Sequence, residues 1–237
     1  MIRIATWNVE WATPRTAKGK RIAPIINDLD TDVFVMTEGC RELLPDGFVV
    51  DAGTDWGYAD SDKRRRKVIL WSKYPLLNID LGENAGLPPG RFVSATVQHP
   101  DGDFATMAVC IPWRDAHVNT GREDRKIWED HMTYLGGLQS LIDPDGGPLV
   151  VAGDFNQRIP RASQPHLISE KLSHCMEGLY VCTALPLEEP LIDHIALSHH
   201  FAVSVVEVIP DHDAIGNLSD HQGVLTELQI DNLTIAR

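Results

Sequence analysis

Cysteine is scarce in this chain of 237 residues: Cys40, Cys110, Cys175 and Cys182 are the four, and none forms a C-x-x-C pair. That spacing excludes a zinc ribbon and a disulfide framework. A reducing compartment, hence the cytoplasm, is the expectation. No apolar run approaches membrane-spanning length, and the first apolar stretch is too short and too polar for a secretory leader. Internal repeats and Ser/Gly linker tracts are also missing, so one domain over residues 1–237 is expected. Positive charge is in deficit. Lys and Arg number 21 against 34 Asp and Glu, a net charge of −13. Broad electrostatic binding of long nucleic acid needs the opposite balance. What the chain has is apolar material: 43% hydrophobic residues supply a sizeable core and exclude a disordered chain.

Hydrophobic patterning predicts strands over residues 2–7, 33–37, 68–72 and 148–152, each a short apolar run bounded by polar or turn-forming residues. Residues 92–98 and 104–111 read as paired strands joined through Pro100-Asp101-Gly102. Further strands are expected at 179–183, 192–197, 202–208 and 223–228. Helical spacing appears over 16–29, with Ile22, Ile25, Ile26 and Leu29 on one side. It appears again over 122–142, with Ile127, Leu135, Leu138, Leu141 and Ile142, and over 168–177. The mixture defines an α/β chain, and two face-to-face sheets with helices outside would accommodate it.

Polar residues gather where these strands end. Asn8 and Glu10 follow the first, Glu38 ends the second, and Asp154 and Asn156 close the strand at 148–152. Asp193 opens a late strand, and Asp220 and His221 precede the last. Strand ends offer a rigid base for a site. A hard cation such as Mg²⁺ takes oxygen ligands, of the kind Glu38, Asn8 and Glu10 supply. Bound to a phosphate oxygen, it neutralises charge and acidifies water. A carboxylate off the metal, Asp154, would then take the proton. Asn156 would donate to the phosphate, and so would His221, held as imidazolium by Asp193. Singly, each of these residues reads better as a turn or a cap; their joint order gives them weight.

In that order, the motifs resemble the endonuclease/exonuclease/phosphatase superfamily over nearly the whole chain. Thr6-Trp7-Asn8-Val9-Glu10, Asp32-Val33-Phe34-Val35-Met36-Thr37-Glu38, Val68-Ile69-Leu70-Trp71-Ser72-Lys73-Tyr74-Pro75, Gly153-Asp154-Phe155-Asn156, Ile192-Asp193-His194-Ile195 and Ser219-Asp220-His221 carry the likeness. The resemblance implies a four-layer αββα sandwich of two mixed sheets flanked by helices, and a hydrolase dependent on Mg²⁺ or Mn²⁺ that cleaves phosphate esters. It implies Glu38 as principal metal ligand, with Asn8, Glu10 and Asp220 on the metal side. Asp154 would activate the nucleophilic water or protonate the leaving group, Asn156 would bind phosphate, and Asp193 would orient His221.

Two departures stand out. Thr37 precedes Glu38 where many members have Gln, and Cys110-Ile111-Pro112 replaces a Tyr-x-Pro segment whose phenol reaches the phosphate. Arg114 or His117, in the loop that follows, could supply the missing contact, or this loop is simply polar. Lys63-Arg64-Arg65-Arg66-Lys67 is the one strong basic run, a solvated loop by default or a grip of Arg64, Arg65 and Arg66 on further phosphates. A small-molecule phosphoesterase and a nuclease acting on DNA or RNA, with Trp56, Tyr58 and Trp113 as stacking residues, are the competing enzyme readings. A catalytically inactive binding module ranks below both, because every acidic and histidine position is retained.

Overall fold

The structure, a computed structural model, describes residues 1–60 and 62–231. Its elements run β1 (Ile2–Asn8), α1 (Ala17–Asp28), β2 (Val33–Cys40), β3 (Phe48–Asp51), β4 (Arg65–Ser72), β5 (Leu76–Asp80), β6 (Phe92–Val97) and β7 (Phe104–Cys110). There follow α2 (Glu129–Gln139), β8 (Leu149–Asp154), α3 (His166–Cys175), β9 (Tyr180–Val181), β10 (Asp193–Leu197) and β11 (Phe201–Ile209). A small hairpin, β12 (His212–Asp213) and β13 (Gly216–Asn217), precedes β14 (Gly223–Ile230).

Two six-stranded sheets form, ordered β11-β14-β1-β2-β4-β3 and β5-β6-β7-β8-β10-β9. Each is mixed: β1–β2 and β7–β8 are parallel, and every other pair within the two sheets is antiparallel. A parallel pair needs a crossover, and α1 and α2 supply the two. The sheets pack face to face through Ile4, Val35, Leu70, Val93, Ala108 and Ile195. On the outer face of the first sheet, α1 buries Ile22 and Ile26 against Trp7, Phe34 and Ile69. On the outer face of the second, α2 and α3 bury Leu135, Leu138 and Leu172 against Val109 and Val151. The layers are therefore helix, sheet, sheet, helix. Ile4 faces the inter-sheet core and Ala5 and Trp7 the helix side, so β1 is apolar on both faces, as central strands are.

The sequence-based elements differ from this in instructive places. The helix expected over 122–142 begins only at Glu129. Trp128 ahead of it has left-handed backbone (φ +69°), and Arg125 pairs with Asp130 in the first turn, folding the preceding segment across the helix start. Ile127, expected on the apolar face, is exposed. The edge strands β3 and β5 had no sequence signal of their own; edge strands lack the two-sided burial that makes a central strand visible. The strand expected over 179–183 contracts to the two residues of β9. No helix among the described residues is long and apolar enough to cross a membrane, and all four cysteines are free and buried.

Candidate active site

The C-terminal ends of the parallel strands β1, β2, β7 and β8 lie at one rim of the sandwich, together with the antiparallel start of β10. Register delivers the residues: Asp154 stands opposite both Cys110 on β7 and Asp193 on β10, and Asn8 stands opposite Thr37, next to Glu38. Gly153 permits the approach. Its φ is +142°, and a Cβ there would sit 1.9 Å from the Val109 carbonyl oxygen, so only glycine fits. Phe155, fully buried, anchors the turn beyond, while Asn156 takes left-handed backbone at φ +51°.

The carboxylates are held by dedicated donors. Asp193, 0% exposed, accepts the Asn8 backbone N–H and the His221 Nδ1–H, the latter at 2.8 Å. Asp154 Oδ2 accepts Asn8 Nδ2 at 3.1 Å and Asn156 Nδ2 at 2.9 Å, and Asp154 Oδ1 accepts the Asn156 N–H at 2.8 Å. Asn156 Nδ2 also donates to the Ile111 carbonyl. Ser219 braces the far side, donating to the Asn8 carbonyl at 2.6 Å, while the Trp7 indole donates to the His221 carbonyl.

Burial raises Asp154 to about 6; His221 opposes the rise, and Asp193 and Glu38 add to it. For His221, burial would lower the value, but Asp193 and Asp154 outweigh it and hold the ring near a pKa of about 10. His221 is thus imidazolium at neutral pH, with Nδ1 committed to Asp193. His194, one residue after Asp193, is the contrast: burial lowers it to about 4, and its ring is tied to Thr183 and the Leu191 carbonyl.

Glu38 has left-handed backbone inside β2 (φ +52°), a conformation that costs a residue with a Cβ about 1–3 kcal/mol. Its carboxylate contacts the Lys67 ammonium. Ligand atoms of Glu38, Cys110 and Asp154 lie within 4.8 Å of one another, as do those of Asp154, Asp193 and His221. These acidic residues could hold a metal, and the donor set suits a hard divalent cation. The anionic donors are carboxylates, whereas burial drives the Cys110 thiol well above its usual range and keeps it protonated. Glu10 and Asp220 stand apart from these clusters. Glu10 pairs with Lys18 at 2.5 Å, and Asp220 is exposed beside His221.

The residues expected to grip further phosphate are placed unevenly. Arg114 lies on a cleft of about 570 Å³ that opens at Asn156 and includes Trp128, Arg158 and Gln164. His117 is buried, stacked on Tyr58 at 4.3 Å, and its Nδ1 accepts the Arg122 N–H, so the ring pins a loop. Arg64, Arg65 and Arg66 are each spoken for, by Asp62, Asp60 and Asp51. Only Arg65 of the three reaches a second cavity, of about 260 Å³, which it shares with Trp11, Lys67, Arg91 and Trp113. Lys67 and Arg91 were not singled out from sequence. Lys67 reads there as the tail of a charge run, and nothing marks Arg91.

Two mixed sheets face to face, helices outside, and a carboxylate–amide–imidazolium cluster at strand ends define the sandwich fold of metal-dependent phosphoesterases. The chain belongs to the Endonuclease/Exonuclease/phosphatase family, whose sequence model matches residues 5–221. Members of that family hydrolyse phosphoester bonds. Among solved structures, the 3' phosphatase NExo from Neisseria, bound to product DNA hairpin, is similar at 18% identity. The match covers 97% of this chain and 100% of that one, with a TM-score of 0.71. A family protein from Bacteroides vulgatus is 18% identical over 97% of this chain and 98% of its own, with a TM-score of 0.66. One from Beutenbergia cavernae DSM 12333 is 19% identical over 97% of this chain and 71% of its own, at 0.65. At such identities the likeness is one of fold. No curated protein matches the sequence.

Proposed function

We propose that this protein is a divalent-metal-dependent phosphoester hydrolase whose one catalytic domain is built by the whole described chain. The observation that carries the reading is the Asp193–His221 pair, Asp193 fully buried, with a ring nitrogen of His221 within 4.8 Å of an Asp154 carboxylate oxygen. Asp154, raised to about 6, is poised to accept a proton near neutral pH. In this reading Asp154 takes the proton of the attacking water as the water oxygen bonds to phosphorus. The bond to the leaving oxygen breaks, its electron pair stays on that oxygen, and the departing alkoxide takes a proton from solvent. The free Nε2–H of His221 donates to the phosphate oxygens, where charge grows, and an Asn156 amide N–H turned from the Ile111 carbonyl to the phosphate joins it. Asp193 fixes the ring and its charge. Mg²⁺, or Mn²⁺ in its place, held by Glu38 with Asn8, would supply charge neutralisation at the phosphate. Glu10 and Asp220, outside the clusters, are assigned to the rim on the metal side. The cleft opening at Asn156 gives the rest of the substrate its place, with Arg114 on its wall.

The test is direct. The purified protein with Mg²⁺ or Mn²⁺ is offered abasic DNA, single-stranded DNA, RNA, inositol phosphates and a generic phosphodiester. Turnover of at least one, silenced by chelator and restored by metal, is expected; activity that survives the chelator removes the metal from the reading. A nuclease reading draws on the exposed Trp113 beside the second cavity, and turnover confined to the nucleic-acid members of the panel would select it.

A further inference from the structure

Arg91 is 2% exposed and Lys67 8%. Lys67 answers the charge of Glu38 and lies 5.0 Å from the centre of the Trp11 ring. Arg91 answers no carboxylate among the described residues. Its guanidinium makes one hydrogen bond to the Cys110 carbonyl, at 3.3 Å, and one long contact to Cys110 Sγ, at 3.9 Å. A buried cation without an anion is costly even after its surroundings relax. The fold nevertheless anchors the residue carefully. The Arg91 carbonyl accepts the Cys110 N–H at 3.0 Å and the buried Tyr134 hydroxyl at 2.8 Å. Gly90 before it has φ +77°, and a Cβ there would meet the Asp55 carbonyl oxygen at 2.2 Å, so the loop bearing Trp56 packs directly against this point.

The cation is also one neighbour from the chemistry. Cys110 Sγ lies 3.8 Å from Asp154 Oδ2, so Arg91 and Asp154 contact the same thiol. His117, in the following loop, is committed to Tyr58 and Arg122. Arg91 and Lys67, the latter in contact with Glu38, both line the cavity of about 260 Å³, which shares no lining residue with the larger cleft at Asn156. Trp11 stacks on Trp56 at 5.3 Å and receives Lys67 and Arg65, while Trp113 on the same cavity is exposed. Asp60, also on its wall, is answered by Arg65, and Lys67 by Glu38, so the unanswered charge the cavity offers a ligand is that of Arg91.

We propose that Arg91 and Lys67 form an anion subsite that binds a second phosphate group of the substrate, next to the one cleaved. This deepens the phosphoester reading and rests on it. The Arg91 fork supplies paired N–H donors matched to phosphate oxygens, and Lys67 supplies a point charge. The substrate class is accordingly one with two phosphate groups: a short nucleotide strand, or a small molecule phosphorylated twice.

Calorimetry with chelator present, so that nothing turns over, tests it. One pair of probes is a dinucleotide with and without a 5'-phosphate; the other is inositol bisphosphate and monophosphate. In at least one pair the wild-type protein should bind the member with the extra phosphate tenfold or more tighter, and the pair that shows this names the source. Arg91→Met should erase the advantage. An equal preference in Arg91→Met with an unchanged melting temperature, or no preference by the wild type in either pair, overturns the subsite. If Arg91→Met does not fold, Lys67→Met carries the test, with at least a threefold loss of the advantage expected and an intact advantage counting against the proposal. Failure of the hydrolase reading itself shows separately, as absence of turnover across the substrate panel with metal.

Discussion

Asp154 and Asp193 are 1% and 0% exposed, and each is held by hydrogen bonds from neighbouring strand ends. Across Cys110, Arg91 and Lys67 are buried nearly as deeply, yet Arg91 has no acidic partner. The first wall is compensated in charge: carboxylates, amides and an imidazolium pair with one another and leave the His221 Nε2–H for a substrate. The second is incomplete by one anion. A complete hydrogen-bonded wall fixes geometry for chemistry, and an uncompensated cationic one stores attraction for a ligand. The difference separates a reaction centre from a recognition surface within one rim.

Substitutions on the first wall should act mainly on turnover. Asp154→Ala removes the proton acceptor and should cost about 10²–10⁴ in rate while the thermal melt shows a folded protein; near-normal turnover would displace Asp154 from its role. Next, Asp193→Asn should lower kcat by about a hundredfold, at the weak end of the range for acid–base groups, because the imidazolium loses its counter-charge. Here pH gives a second measurement. The folded His221 pKa of about 10 lies above the unfolded value of about 6.5. The stability it contributes is full below pH of about 6.5 and drains as pH rises through about 10. Asp154, raised to about 6, acts in the same sense, since its proton is retained by the fold and its burial penalty appears as pH climbs through that value. The melting temperature of chelator-treated protein should therefore fall from pH 5 to pH 10. Asp193→Asn should flatten the upper half of that slope, and an unchanged slope would show that Asp193 does not hold the charge.

Glu38 joins the two walls, touching Lys67 on one side and clustering with Asp154 on the other. Glu38→Gln should move the midpoint of a Mg²⁺ or Mn²⁺ titration upward by about tenfold, the effect of losing about 1.4 kcal/mol of ligand interaction. A titration that superimposes on the wild type takes Glu38 out of the metal shell. The smallest effects belong to the basic run. Arg65→Ala, in the second cavity, should raise KM by about threefold, whereas Arg64→Ala, paired with Asp62 away from that cavity, should stay within the error of a surface substitution. Equal losses from both would mean that the run acts as one diffuse positive field, and the contrast between cations inside and outside the cavity would fail.

Much of the first wall was legible in the sequence because strand ends are legible. An apolar run that stops at Gly153-Asp154 or opens at Asp193 marks its own rim, and the β6–β7 hairpin announced itself through Pro100-Asp101-Gly102. The second wall was obscured for a physical reason. Lys67 looks like the last member of a solvated run, since charge runs usually are, but β4 places it inside while Arg64 and Arg66 turn to Asp62 and Asp51. His117 read as a phosphate contact or as part of a polar loop, and it is a buried loop pin, because Tyr58, distant in sequence, covers its ring. The shortened α2 has the same origin: periodicity through Ile127 is local, and the Arg125–Asp130 pair that bends the chain away is a matter of tertiary geometry.

The sequence by itself determined the apolar strands, the polar residues at their ends and the order from Asn8 to His221, because these follow from hydrophobic period and local turn chemistry. Tertiary structure decided which of those residues meet. It set Asp193 against the Asn8 amide 185 positions away, put the left-handed Glu38 beside Lys67, and left Arg91 facing a cavity without a counter-ion. Charge compensation depends on distances in space, and those exist only once the two sheets have closed on each other.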